Sequence, residues 1–194
     1  MRYLIGFITL IAVGAFSFTL MHAVYVAPGG GTLAPTTTPA VTTNRPAEEP
    51  ARLLIPSIGV DAKVQLVGVN AKGNMGVPSN FTDVAWYRYG TAPGQLGSAV
   101  IDGHVDNGLA LAGVFKHLSD AKLGDDIQVV TKEGSTLHFT VDEIETYPLD
   151  AVPLDKVFNR KDTARLTLIT CTGSWVKNQK TYDTRLVVYA HLAA

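Results

Sequence analysis

From residue 52 onward, apolar and polar residues alternate in short runs. Val60, Ala62, Val64 and Leu66 alternate with polar side chains. A period of two is typical of a β-strand that buries one face. Runs rich in Val, Ile, Thr and Tyr predict further strands at residues 98–101, 126–131, 137–146, 165–171 and 184–191.

Helical signals in this part of the chain are few and short. The stretches 114–118 and 154–159 predict helical turns, and no run has the length and period of a long amphipathic helix. Many short strands within roughly 140 residues are typical of a closed β-barrel or a β-sandwich. The pattern therefore predicts an all-β domain over residues 51–194 with one or two short helices.

The N-terminal segment is apolar throughout. Residues 4–26 include no charged residue, and at about 1.5 Å per residue such a helix spans the ~30 Å hydrocarbon core of a bilayer. This predicts a transmembrane signal anchor over residues 1–27. A cleaved signal peptide is the alternative, but it normally has a shorter apolar core and an A-x-A cleavage pattern, which this segment lacks.

Basic residues and composition set the orientation of the anchor and the nature of the next segment. Arg2 precedes the span and the next basic residue is Arg45, so the positive-inside rule predicts a single-pass cell-membrane protein with a cytoplasmic N-terminus and an extracellular domain. Residues 28–50 are rich in Gly, Pro and Thr without an apolar period. They predict a linker between the anchor and the folded domain.

Charge and cysteine content narrow the function classes. The chain has 16 Lys and Arg against 17 Asp and Glu, which excludes a strongly basic nucleic-acid binder. Its single cysteine excludes an intramolecular disulfide and a Cys-rich zinc module.

Three side chains make a chemically sensible set. Cys171 closes the predicted strand 165–171, and His104 follows an apolar run where a strand gives way to a loop. Arg185 begins the last predicted strand, and antiparallel pairing of the last two strands would place it beside Cys171. The alternative interpretations are that Cys171 is a buried, inert cysteine and that Arg185 is a surface charge paired with Asp183.

Together these groups are suited to acyl transfer. A thiolate next to a cation is a nucleophile, His104 is a general acid and base, and Arg185 is a donor to a developing oxyanion. Asp102 and Asp106 flank His104 at a spacing of two, and on a strand all three would share a face. A metal site is disfavoured, because three ligands so spaced rarely converge on one ion without a turn.

The same residues resemble a known family. ThrLeuIleThrCys at 167–171, followed by Arg185 and preceded by GlyHisVal at 103–105, is similar to the pattern of the sortases over residues 52–192. The class F subgroup is the most similar, through TrpTyr at 86–87, ProGly at 93–94, GlyHisValAsp at 103–106 and ValPhe at 114–115.

The resemblance implies a closed eight-stranded sortase-type β-barrel and a cysteine transpeptidase. The implied substrate is an exported protein with a C-terminal LPxTG-like sorting signal, cleaved between Thr and Gly through a thioacyl intermediate. The implied acceptor is water or an amine of a cell-wall precursor or a pilin lysine. His104, Cys171 and Arg185 match the catalytic triad, and Thr170 matches a supporting Thr.

The chain departs from the family pattern at Asp102, where a small or apolar residue is expected; its carboxylate would act on His104 or point to solvent. The acidic residues Asp125, Asp126 and Glu143 match no calcium site of the family, so neither calcium nor another cofactor is predicted.

The first alternative is another cysteine acyl transferase. Papain-like enzymes place the Cys before the His, and L,D-transpeptidases carry the His close before a Gly-Cys pair; this chain has neither arrangement. The alternative from a different class is a membrane-tethered extracellular β-barrel binding module with a non-catalytic cysteine. It predicts an unreactive Cys171.

Overall fold

The computed structural model describes residues 48–193. The predicted anchor at 1–27 and residues 28–47 of the predicted linker lie outside the described residues. Within 48–193, no helix has the length and apolar character needed to cross a membrane.

Eight strands and four short helical segments make up the described part of the chain. The strands are β1 (Pro50–Ile55), β2 (Val60–Val67), β3 (Val84–Tyr87), β4 (Gly97–Gly103), β5 (Asp126–Thr131), β6 (Thr136–Pro148), β7 (Ala164–Val176) and β8 (Thr181–Leu192). The helix α1 spans Leu154–Phe158, and 3-10 turns lie at Pro56–Ile58, Leu118–Asp120 and Leu149–Ala151.

The sequence pattern located six of these strands and missed two. All four residues of β3 are buried, so this strand has no alternation to detect. β1 begins at Pro50, inside the stretch interpreted as linker. The helix predicted at 154–159 is α1, whereas the helix predicted at 114–118 is wrong: residues 114–117 form a turn that leads into a 3-10 segment.

The strands close into a barrel in the order β1-β2-β3-β4-β7-β8-β6-β5, which confirms the predicted fold class. The pairs β2–β3 and β4–β7 are parallel and the other pairs are antiparallel. Closure gives each strand two partners and leaves no open sheet edge. The parallel pairing also brings the carboxyl ends of β4 and β7 to the same rim.

Alternation separates the two faces of β4, β7 and β8. Their inward side chains belong to the barrel core, together with large residues such as Phe139 and Leu53. Their outward side chains form a second apolar cluster, which α1 covers through Val157 and Phe158. This outer row comprises Val100, Ile169, Val187 and Tyr189.

A buried hydrogen bond ties β7 to the end of β4. The Thr170 hydroxyl donates to the Gly103 carbonyl at 2.7 Å, and Thr170 is only 1% exposed. The Phe115 ring packs directly on Gly103, where an added Cβ would lie 2.4 Å from a ring carbon. The last residue of β4 is therefore fixed from two sides.

We expect Thr170→Val to lower the free energy of unfolding by about 1–3 kcal/mol, because the buried Gly103 carbonyl loses a donor at nearly constant side-chain volume. Urea unfolding of the full chain measures this change.

Thr167→Val is the matched control on the same strand. The Thr167 hydroxyl is buried and makes no hydrogen bond, so valine removes an unsatisfied polar atom, and stability should be unchanged or higher. Equal losses in the two variants would show that the Thr170 hydrogen bond is not the stabilising link.

Candidate active site

Cys171 and Arg185 face each other across β7 and β8. They are direct partners in the antiparallel register, on the outer face of the barrel. β7 does not end at Cys171, as the sequence pattern indicated, but continues to Val176 past a bulge. The bulge contains Gly173, whose φ of 85° suits glycine, and the connection between the strands is only residues 177–180.

His104 lies at the same rim because β4 and β7 run parallel. Asp102 pairs with Ile169, so two residues further along the two strands His104 comes level with Cys171. β4 ends at Gly103, and the 7%-exposed His104 opens the following loop. Its Nε2 lies 3.1 Å from the Pro78 carbonyl oxygen. A carbonyl only accepts, so Nε2 carries the hydrogen and Nδ1 is the basic nitrogen of the neutral ring.

The segment 104–115, here called the His104 loop, is held by its own backbone. The Phe115 amide donates to the His104 carbonyl at 3.0 Å, and the backbones of Asp106 and Ala112 form an isolated antiparallel β-bridge. An added Cβ at Gly113 would lie 2.3 Å from the His104 carbonyl oxygen. Because β4 ends at Gly103, Asp102, His104 and Asp106 do not lie on one strand, and the condition under which they would share a face is not met.

Arg185 is a buried cation, not a surface charge, and is only 3% exposed. Its Nη1 donates to the carbonyls of Tyr182 at 3.0 Å and Thr184 at 2.9 Å. Its Nη2 donates to the Thr181 hydroxyl at 3.0 Å. Several fixed acceptors hold the planar guanidinium in one orientation.

Thr181 is a site residue that the sequence reasoning missed. Its buried hydroxyl accepts from Arg185 and hydrogen-bonds the Cys171 thiol, which helps to hold the pKa of the thiol down. The residue lies at the start of β8, in a stretch interpreted as loop. Extending the predicted strand 184–191 by three residues toward the N-terminus would have included it.

Burial controls the thiol. It raises the pKa of Cys171 from 9.0 to about 11, although the Arg185 charge opposes the shift. The carboxylates of Asp102 and Asp106 raise the pKa further, and the Thr181 hydroxyl lowers it. The resting thiol is therefore protonated at neutral pH, and attack requires a base that removes its proton.

Asp102 lies on the outer face between Ala85 of β3 and Ile169 of β7. The side chain is partly accessible but closely surrounded by protein atoms, which raise its pKa from 3.8 to about 6. The charges of His104 and Arg185 oppose this shift. The carboxylate that departs from the family pattern therefore interacts electrostatically with all three candidate catalytic residues.

A small cavity of about 10 Å³ lies beside the thiol. Trp175 and Tyr182 cover it with rings in edge-to-face contact at 5.3 Å, and the Tyr182 hydroxyl donates to the Asp106 carboxylate. Burial and this hydrogen bond raise the pKa of Tyr182 to about 12. The lining residues are His104, Val105, Asp106, Cys171, Trp175, Lys180, Thr181 and Tyr182.

The other histidines lie elsewhere. His117 pairs with Asp120, and His138 and His191 hydrogen-bond aspartates across neighbouring strands. His22 lies outside the described residues. Within 48–193, no three His, Cys, Asp or Glu side chains are grouped to hold a metal ion.

Comparisons with known proteins bear on the family and the fold of the chain. A family profile described as the sortase domain matches residues 53–193. No curated protein sequence matches the chain significantly.

Solved structures of several sortase classes are similar in fold. Sortase A from Corynebacterium diphtheriae is 24% identical with a TM-score of 0.57, over 78% of this chain and 63% of that one. Streptococcus agalactiae sortase C1, solved in complex with MTSET, is 22% identical with a TM-score of 0.56, over 74% and 66%. Sortase C-1 from Actinomyces oris is 27% identical with a TM-score of 0.56, over 74% and 73%. This chain spans less than two thirds of the first two structures.

We expect Asp102→Asn to lower the pKa of the Cys171 thiol, because a like charge near the sulfur is removed. Alkylation by iodoacetamide at pH 8 should become about three- to tenfold faster, since one pKa unit changes the thiolate population about tenfold. The pH dependence of the alkylation rate measures this. Thr181→Val, which removes a hydrogen bond to the thiol, should slow it.

Asp102→Asn should also change how the stability of the chain depends on pH. Because the folded-state pKa of Asp102 is raised from 3.8 to about 6, folding favours the protonated carboxyl, and the wild-type chain loses stability as pH rises between these values. At pH 7, Asp102→Asn should therefore have a free energy of unfolding higher than the wild type by on the order of 1–3 kcal/mol, measured by urea unfolding. The difference should shrink toward pH 4. Identical alkylation rates and unfolding curves would show that the carboxylate does not influence the site.

Proposed function

The chain belongs to the sortase family, and we propose that it is a cysteine transpeptidase that cleaves an LPxTG-like sorting signal between Thr and Gly. The acyl group is transferred to an amine through a thioacyl-enzyme intermediate. One observation carries the proposal: the only thiol of the chain faces a buried arginine and shares a cavity with a histidine. These are the three groups that thiol-based acyl transfer needs.

In the first half-reaction, His104 accepts the thiol proton at Nδ1, and the sulfur attacks the Thr carbonyl carbon. The guanidinium of Arg185 donates to the oxyanion that develops, and its fixed orientation means that little reorganisation is needed. His104 then returns the proton to the departing Gly amine, and the acyl group remains on Cys171 as a thioester. Thr170 supports the site by fixing Gly103, the residue before His104.

In the second half-reaction an amine resolves the thioester. We propose a peptidoglycan precursor or a pilin lysine as the acceptor, which would attach exported proteins to the cell wall or to pilins. This role fits an enzyme of the cell membrane whose N-terminus is cytoplasmic and whose catalytic domain is extracellular. Membership of class F stays a prediction from the sequence motifs.

One observation favours a second function. Burial keeps the pKa of Cys171 near 11, as expected of a non-catalytic cysteine in an extracellular β-barrel binding module. The two functions differ in whether the thiol reacts with a carbonyl group presented to it.

We expect the full chain in detergent to cleave a fluorogenic LPxTG-type peptide, and to form a new amide when an amine is added. Cys171→Ala should abolish both activities, because the sulfur is the nucleophile. Fluorescence and mass spectrometry measure the two products.

The negative outcomes are distinguishable with a thiol label. No cleavage together with an unlabelled Cys171 in the folded chain would favour the binding module. No cleavage with a readily labelled Cys171 would mean that the peptide does not match the natural sorting signal.

Arg185→Ala should lower kcat by about 10²–10³-fold, the effect of removing one oxyanion donor, with a smaller change in KM. Arg185→Lys keeps the charge but loses the planar fork, so kcat should fall by an intermediate amount. Unfolding curves of both variants separate catalysis from folding. Near wild-type kcat in a folded Arg185→Ala chain would remove the arginine from the mechanism.

A further inference from the structure

The cavity beside Cys171 has a volume of about 10 Å³. This is about the space that one water molecule occupies, and a terminal amino group is of similar size. The cavity therefore suits a small end group such as a terminal amine, placed directly beside the sulfur.

Asp106 gives this cavity a fixed negative group. The carboxylate lines the cavity, and its charge acts on the Cys171 thiol. Tyr182 donates a hydrogen bond to one of its oxygens. The Asn107 side chain accepts from the amides of Leu109 and Leu111 at 2.9 and 3.0 Å, which fixes the loop directly after Asp106. An ionised carboxylate accepts about four hydrogen bonds, so capacity for a further donor remains.

Two aromatic rings complete the lining. Trp175 and Tyr182 pack edge to face, and Trp175 is 42% exposed at the cavity mouth. Aromatic faces attract cations, and a carboxylate adds a charge-assisted hydrogen bond. Two cations lie nearby: exposed Lys180 lines the cavity, and buried Arg185 lies beside Cys171 and acts on it by its charge. A positively charged ligand would need Asp106 to offset their repulsion.

The effect of Asp106 on the thiol favours a role after acylation. A carboxylate that raises the pKa of Cys171 opposes thiolate formation and hence the first half-reaction. Once the sulfur is acylated it carries neither charge nor proton, and this penalty disappears. In the acyl-enzyme the carboxylate therefore acts only as an attractive group for an incoming ammonium.

We propose that Asp106, Tyr182 and Trp175 form the acceptor site and bind the primary ammonium group of the acyl acceptor. The inference rests on the proposed transpeptidation. Bound there, the ammonium loses one proton to His104, and its nitrogen forms a bond with the thioester carbonyl carbon. The carbon–sulfur bond breaks, and a second proton of the nitrogen passes to the Cys171 sulfur. Water in the same cavity is the competing acceptor.

The test is the ratio of transfer to hydrolysis for the full chain acting on an LPxTG-type peptide. Two amines are compared: 1,5-diaminopentane, which is cationic at neutral pH, and hydroxylamine, which is uncharged. Asp106→Asn should lower the ratio for diaminopentane by about five- to tenfold, the effect of losing one partly buried ion pair. The ratio for hydroxylamine should not change.

Asp102→Asn is the matched control. It also removes a carboxylate that acts on Cys171, but Asp102 does not line the cavity. It should therefore change the rate of acylation and leave the ratio of transfer to hydrolysis at the wild-type value for both amines. Tyr182→Phe keeps the ring but loses the donor to Asp106 and should lower the diaminopentane ratio by a smaller factor. This variant carries the test if Asp106→Asn fails to fold.

The outcomes separate the two levels of argument. Cleavage with wild-type ratios in both cavity variants would overturn the acceptor site and leave the transpeptidase intact. An equal fall of the ratio in Asp102→Asn would also overturn it, because a general field effect would then explain the result. A wild-type chain that forms no acyl-enzyme, and whose folded Cys171 also resists a thiol label, would overturn the proposed function and the acceptor site with it.

Discussion

The register of β4, β7 and β8 is the constraint on which the site depends. Asp102 pairs with Ile169, and Cys171 pairs with Arg185. Side chains alternate between faces, so a slip of one residue would turn Cys171 into the barrel core and replace it with Thr170. Closure of the barrel and the apolar rows on both faces oppose such a slip.

Within that frame, burial and charge act against each other on the thiol. Removal from water raises the pKa of Cys171, and the neighbouring Arg185 only partly offsets this. The two aspartates add to the rise. In the proposed reaction the thiol stays protonated until a bound substrate excludes the remaining water and His104 takes the proton. On that mechanism the resting thiol is protected from side reactions, and its reactivity depends on the bound complex.

Much of this was predictable from the sequence, for identifiable reasons. Strands such as β2 and β7 expose one face, so their alternation is visible, and the adjacency of Cys171 and Arg185 follows from antiparallel pairing of consecutive strands. β3 was not predictable because it is buried on both faces. Thr181 was missed because a bulge at Gly173 lets both strands continue beyond the expected turn.

Two charged side chains near Cys171 break local rules of stability. A carboxylate at Asp102 among buried side chains has a raised pKa, which means that the charged form destabilises the fold. Arg185 is buried away from water and donates to backbone carbonyls and to the Thr181 hydroxyl. An apolar residue in place of Asp102 would lie beside Ile169 without the cost of a buried charge. Perturbed charges beside the only thiol of the chain are typical of a functional site, and they support the proposal that this sulfur is the reactive group.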